Sequence, residues 1–106
     1  MNFETEVIQS EIPVIVDFYA TWCGPCKTLS PVLDEIKEEY RERVKVVKID
    51  VMEFEEISKS NNVKAIPTLM FFKDGKSLHT STGFKDKQYI TNIIEGVFNV
   101  RDDKSS

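Results

Sequence analysis

The sequence predicts an α/β domain built on a mixed sheet. Two apolar segments at 13–20 and 44–50 flank a helical stripe, which makes a βαβ unit, and two later segments meet at Asp74-Gly75 as a hairpin. The chain's two cysteines lie three positions apart, where the first segment passes into the helix.

Pro13 to Ala20 is a nearly unbroken apolar run, which reads as a buried strand, and Asp17 is the one acid inside it. From Pro25 onward Leu29, Val32, Leu33, Ile36 and Tyr40 recur at helical spacing, predicting an amphipathic helix to about Tyr40 with a kink at Pro31. Val44 to Asp50 is rich in β-branched residues and reads as the second strand, parallel to the first by the right-handed crossover rule. A shorter helix is expected over Glu53 to Ser60, with Phe54 and Ile57 facing inward. Thr68 to Lys73 and Lys76 to about Gly83 flank Asp74-Gly75, a dipeptide suited to hairpin turns whose two central residues need positive φ. Asp86 to Asn99 carries Tyr89, Ile90, Ile93, Ile94, Val97 and Phe98 on one face and closes the fold as a helix, followed by a polar, frayed tail from Arg101 to Ser106.

A chain of 106 residues fits one domain, residues 1–106, large enough to bury an apolar core without disulfide staples. Hydrophobic residues at 41% and charged residues at 30% suit a soluble globular protein, and a net charge of −4 disfavours nucleic acid and anionic membranes as partners. Met1 to Glu11 has three acidic residues and no basic one, unlike a signal peptide, and no segment reaches the length of a bilayer span. A cytoplasmic location is the expectation.

Two cysteines in C-x-x-C spacing, in a chain with no others, fit intracellular dithiol redox chemistry better than a secreted disulfide framework. Residues i and i+3 share a helical face, so the pair can close and reopen a disulfide with little backbone movement. Zinc needs about four ligands, and the only other strong candidate, His79, falls on a distant hairpin strand, so no metal is expected; with no dinucleotide fingerprint in the chain either, no cofactor is expected. Cys23, at the helix N-terminus, is the expected nucleophile because free amides there stabilise a thiolate. Cys26, one turn inside, is the expected resolving thiol. It needs a base, and Asp17, desolvated among Ile15, Val16 and Phe18, would keep its proton to higher pH and exchange it near neutrality. Lys48 on the neighbouring strand is its expected electrostatic partner.

The segment Asp17-Phe18-Tyr19-Ala20-x-Trp22-Cys23-Gly24-Pro25-Cys26-Lys27, then Pro31, Ile66-Pro67-Thr68 and Phe72-Lys73-x-Gly75, closely resembles the thioredoxin family over nearly the whole chain. That resemblance implies a central mixed sheet with helices on both faces. It also implies Cys23 as nucleophile, Cys26 as resolving thiol, and Asp17 with Lys48 as the buried proton-handling pair. Pro67 would follow a cis peptide bond opposite the cysteines, although only about 5% of X-Pro bonds are cis. Trp22, Gly24, Pro25, Ile66, Pro67 and Gly83 would form an apolar docking surface around Cys23. Tyr19 and Thr21 depart from the commoner residues of the family, and Met52-Glu53-Phe54-Glu55-Glu56 replaces its frequent Asp-x-Asn-Pro stretch, which bears on partner preference.

The implied activity is reduction of protein disulfides, with disulfide-containing proteins as substrates and a thioredoxin reductase, fed by NADPH, as the recycling partner. A monomer is expected. Two alternatives remain: an oxidase or isomerase on the same fold, which Gly24-Pro25 between the cysteines disfavours, and a non-catalytic binding subunit.

Overall fold

The computed structural model describes residues 1–101, so all but the first residue of the tail expected over Arg101 to Ser106 lies outside the described residues. Strand β1 is Val14–Tyr19, and its run of β-branched and aromatic residues is buried almost throughout. Helix α1, Gly24–Glu39, follows with Pro25 in its first turn, where a missing N–H costs nothing. Pro31 removes the N–H that would bond the Lys27 carbonyl, yet the helix continues through it as one element. Its face of Leu29, Leu33 and Ile36 is fully buried, which is the stripe read from the sequence. Strand β2, Lys45–Asp50, lies parallel to β1, as the right-handed crossover requires.

Helix α2, Glu55–Ser60, is two residues shorter at its start than the sequence suggests. Strands β3, Thr68–Lys73, and β4, Lys76–Thr82, form the expected hairpin. Asp74 and Gly75 both take positive φ, 52° and 79°, as a two-residue turn of this type demands. A side chain at Gly75 would also meet the Ile8 carbonyl oxygen at 3.2 Å, so glycine serves both the turn and a close approach. Helix α3, Lys87–Ile93, is capped by Asp86, whose carboxylate accepts from the Tyr89 N–H at 2.9 Å. A π-helical turn, Ile94–Phe98, prolongs it to Asn99, which ends it in the left-handed conformation.

Among the described residues the strands form one mixed sheet in the order β2-β1-β3-β4, with β3 antiparallel to both of its neighbours. Alternation along each strand sends side chains to two cores. Ile15, Leu69 and Phe71 pack with Leu29, Leu33 and Ile36 of α1 and with Ile90, Ile94 and Phe98. On the opposite face Val14, Val16, Phe18, Ile49, Met70 and Phe72 pack with Val7, and Phe3, Phe54 and Ile57 close around them. Helices therefore cover both faces. The sequence reading did not anticipate the π-helical turn Glu4–Ile8, which supplies Val7 to this second core and, beside it, Phe3, whose ring meets Phe72 edge-on at 5.8 Å. Its apolar residues span barely one turn, too little to establish a period.

Candidate functional site

The site forms where β1 ends and α1 begins. Cys23 caps α1 in extended conformation, with φ −88° and ψ 115°, and its Sγ accepts the Cys26 backbone N–H at 3.2 Å. Cys23 and Cys26 are joined as a disulfide, with Cα atoms 5.2 Å apart. Both are largely covered, at 5% and 3% exposure, in a small cluster with Ala20 against which Tyr19, Val51 and Ile66 pack. An amide N–H directed at Cys23 Sγ favours negative charge on that sulfur, which distinguishes the two thiols chemically.

The peptide bond from Ile66 to Pro67 is cis, the isomer the resemblance implied against the general preference. The Pro67 carbonyl accepts the Gly83 N–H at 2.8 Å, which ties the end of β4 to this loop. Gly83 has φ 84°, in the region that favours glycine, so its place in the turn is a backbone requirement. Trp22 is 67% exposed, on the surface rather than in a core. Two further exposed apolar residues stand beside this constellation in sequence: Met52 follows Val51 of the cysteine cluster, and Phe84 follows Gly83. Phe84 escaped the sequence reading because one exposed aromatic after a strand carries no pattern.

Behind the disulfide a cavity of about 340 Å³ is lined by Asp17, Tyr19, Ala20, Thr21, Cys26, Lys27, Ser30 and Lys48. It joins the β1 acid to Cys26. Asp17 is 2% exposed and its Oδ1 accepts no hydrogen bond from the protein. Burial pushes its carboxyl up from 3.8 to about 6, and the Lys48 charge opposes this only in part.

Lys48 stands opposite Asp17 in the β1/β2 register, as neighbouring strands suggested. Its ammonium does not bond Asp17, however. It donates to Ser30 Oγ at 2.7 Å and to Asp34 Oδ1 at 3.2 Å, both on α1. Lys48 therefore acts on Asp17 through space. The sequence reading missed Ser30 and Asp34, although Cys26, Ser30 and Asp34 recur at intervals of four along the helix, a spacing that places them on one face.

A reversible dithiol at a helix N-terminus, backed by a buried carboxyl able to trade protons near neutral pH, defines a thiol–disulfide oxidoreductase. Comparison with known proteins gives the same class. The thioredoxin family model matches residues 1–96. Thioredoxin 1 of Synechococcus elongatus is 44% identical over 94 residues, which cover 89% of this chain and 88% of that protein. The thioredoxin of Rickettsia typhi is 43% identical over 94 residues, 89% of this chain and 90% of the relative. The chloroplastic M-type thioredoxin of Chlamydomonas reinhardtii is 40% identical over 98 residues, 92% of this chain and 70% of the relative. The chain belongs to the thioredoxin family, and with its Cys-Gly-Pro-Cys dithiol it has protein-disulfide reductase activity. Such an activity takes disulfide-containing substrates and needs a reductase to restore the dithiol. No helix among the described residues is long and apolar enough to cross a membrane.

Proposed function

We propose that the chain works as a cytoplasmic, monomeric, single-domain thioredoxin whose Cys23 opens protein disulfides and whose Cys26 releases the product. The Cys23 thiolate attacks one sulfur of a target disulfide, so that a mixed disulfide forms and the other target sulfur leaves as thiolate. Cys26 gives its proton to the Asp17 carboxylate and attacks Cys23 Sγ. The Cys23–Cys26 bond forms, and the second target thiol departs with the target reduced by two electrons. A thioredoxin reductase, with NADPH as ultimate donor, returns those electrons to the chain. Lys48 tunes Asp17 by its charge. Trp22, Gly24, Pro25, Ile66, Pro67 and Gly83 make the surface on which an extended target segment lies. Neither nucleic acid nor membrane takes part.

The observation that carries this reading is the hydrogen bond from the Cys26 N–H to Cys23 Sγ at 3.2 Å, beside a cavity that connects Cys26 with Asp17. It supports unequal roles for the two thiols. Replacing the resolving thiol tests those roles: a Cys26→Ser variant incubated with a disulfide-containing protein should accumulate a covalent adduct through Cys23. Mass spectrometry should find one target chain per molecule, released by dithiothreitol. Adducts formed instead by Cys23→Ser through Cys26 would reverse the assignment.

A further inference from the structure

The Lys48 ammonium is bonded away from the buried acid directly across from it. Asp17 and Lys48 are register partners on adjacent parallel strands, which run about 4.8 Å apart with paired side chains on the same face. A lysine stem can span that distance with ease. Yet Asp17 Oδ1 accepts no bond from the protein, while the ammonium sits 2.7 Å from Ser30 Oγ and 3.2 Å from Asp34 Oδ1. Ser30 and Asp34 are one helical turn apart, so they present a hydroxyl and a carboxylate to the same point. Ser30 and Lys48 both line the cavity that holds Asp17 and Cys26.

We propose that Ser30 and Asp34 are positioning residues, which hold the Lys48 ammonium at the cavity mouth, away from the Asp17 carboxylate, and thereby set how strongly Lys48 acts on the proton acceptor for Cys26. The inference rests on the reading of Asp17 as that acceptor. Two forces compete for the ammonium. A bond to Asp17 would gain Coulomb energy in a poorly solvated place but would strip water from the lysine. The bonds to Ser30 and Asp34 leave it partly hydrated, with the Lys48 side chain 35% and Asp34 67% exposed. An ion pair so exposed is weak alone, so the short charge-assisted bond to Ser30 supplies the rest of the preference. With the ammonium held off, desolvation dominates at Asp17. Besides Lys48, the cavity that holds Asp17 is lined by Tyr19 of β1 and by Cys26 and Lys27 of α1, and none of them bonds Asp17 Oδ1.

The test follows the Asp17 carboxyl carbon by NMR across a pH titration of the oxidised protein. Wild type is compared with Ser30→Ala/Asp34→Asn, each with and without Lys48→Met. Releasing Lys48 toward Asp17 should lower the Asp17 midpoint by about one pH unit, the low end of the effect of an opposite charge at contact distance. In the Lys48→Met background the same pair of substitutions should leave only the small field change from losing Asp34, well below that shift. The acid limb of the single-turnover rate of product release should move with the midpoint. Equal shifts in both backgrounds, or none in either, would overturn the proposal. If Asp17→Asn left the pH profile of product release unaltered, the proton-acceptor reading would fall, and the carboxyl titration would still decide where Lys48 is held.

Discussion

A Cys23→Ser variant is expected to reduce no disulfides, its rate in a protein-disulfide reduction assay falling to the level measured without protein. A serine hydroxyl in this place has the same helix N-terminus and the same amide directed at it, but it neither ionises near neutral pH nor exchanges with a disulfide sulfur. Cys26 remains as a thiol in that variant, but it lies inside α1 with its own amide N–H directed at position 23, so it lacks the stabilisation that favours a thiolate at the helix cap and should not replace the lost nucleophile. The variant should keep its fold, because the two residues are isosteric and the core clusters of both sheet faces lie outside the site. Retention of the biological effect by folded Cys23→Ser would mean that the chain acts as a binding subunit and not by electron transfer.

Asp17→Asn should raise stability above pH 6 while slowing product release. The folded-state value of about 6 lies above the ordinary 3.8, so the folded chain holds this proton more tightly than the unfolded chain. Stability from this group is therefore complete below pH 3.8 and is lost as pH rises through about 6. Above that the buried carboxylate destabilises the fold by about 3 kcal/mol, at 1.36 kcal/mol for each unit of displacement. An amide at position 17 avoids the charge, at the lesser penalty of a buried polar group. Urea unfolding at pH 8 should show the variant about 2 kcal/mol more stable, with that advantage lost as pH falls through about 6 and reversed by about 1 kcal/mol below about pH 4, where only the amide penalty remains. Product release at neutral pH should slow by about 10²-fold, the lower range for losing a positioned proton acceptor. Parallel stability curves for the two proteins across this pH range would contradict the buried, proton-holding Asp17.

Much of this was legible because the chemically active residues stand out against their surroundings. Asp17 is an acid in an apolar strand, and Cys23 and Cys26 mark a junction between a period of two and a period of 3.6. The hairpin was legible for a local reason, since Asp74 and Gly75 meet the backbone demand of the turn by themselves. Pro67 differs: its local sequence favours trans, and only resemblance to a family suggested the cis bond that the structure contains. The environment of Lys48 could not be read along the chain. Whether its ammonium reaches Asp17 or Asp34 depends on where α1 crosses the β1/β2 face, which packing of Leu29, Leu33 and Ile36 on Ile15 decides. The N-terminal π-helical turn was missed for want of length, although it contributes Val7 to the second core.

The most direct test of the central claim is the equilibrium potential of the Cys23–Cys26 pair, measured against a glutathione redox series at pH 7. A strongly reducing value is expected, near the roughly −270 mV known for thioredoxins, as suits a donor of electrons to protein disulfides. A value near about −120 mV, that of a strong disulfide-forming oxidant, would contradict the claim and reverse the direction in which this chain moves electrons.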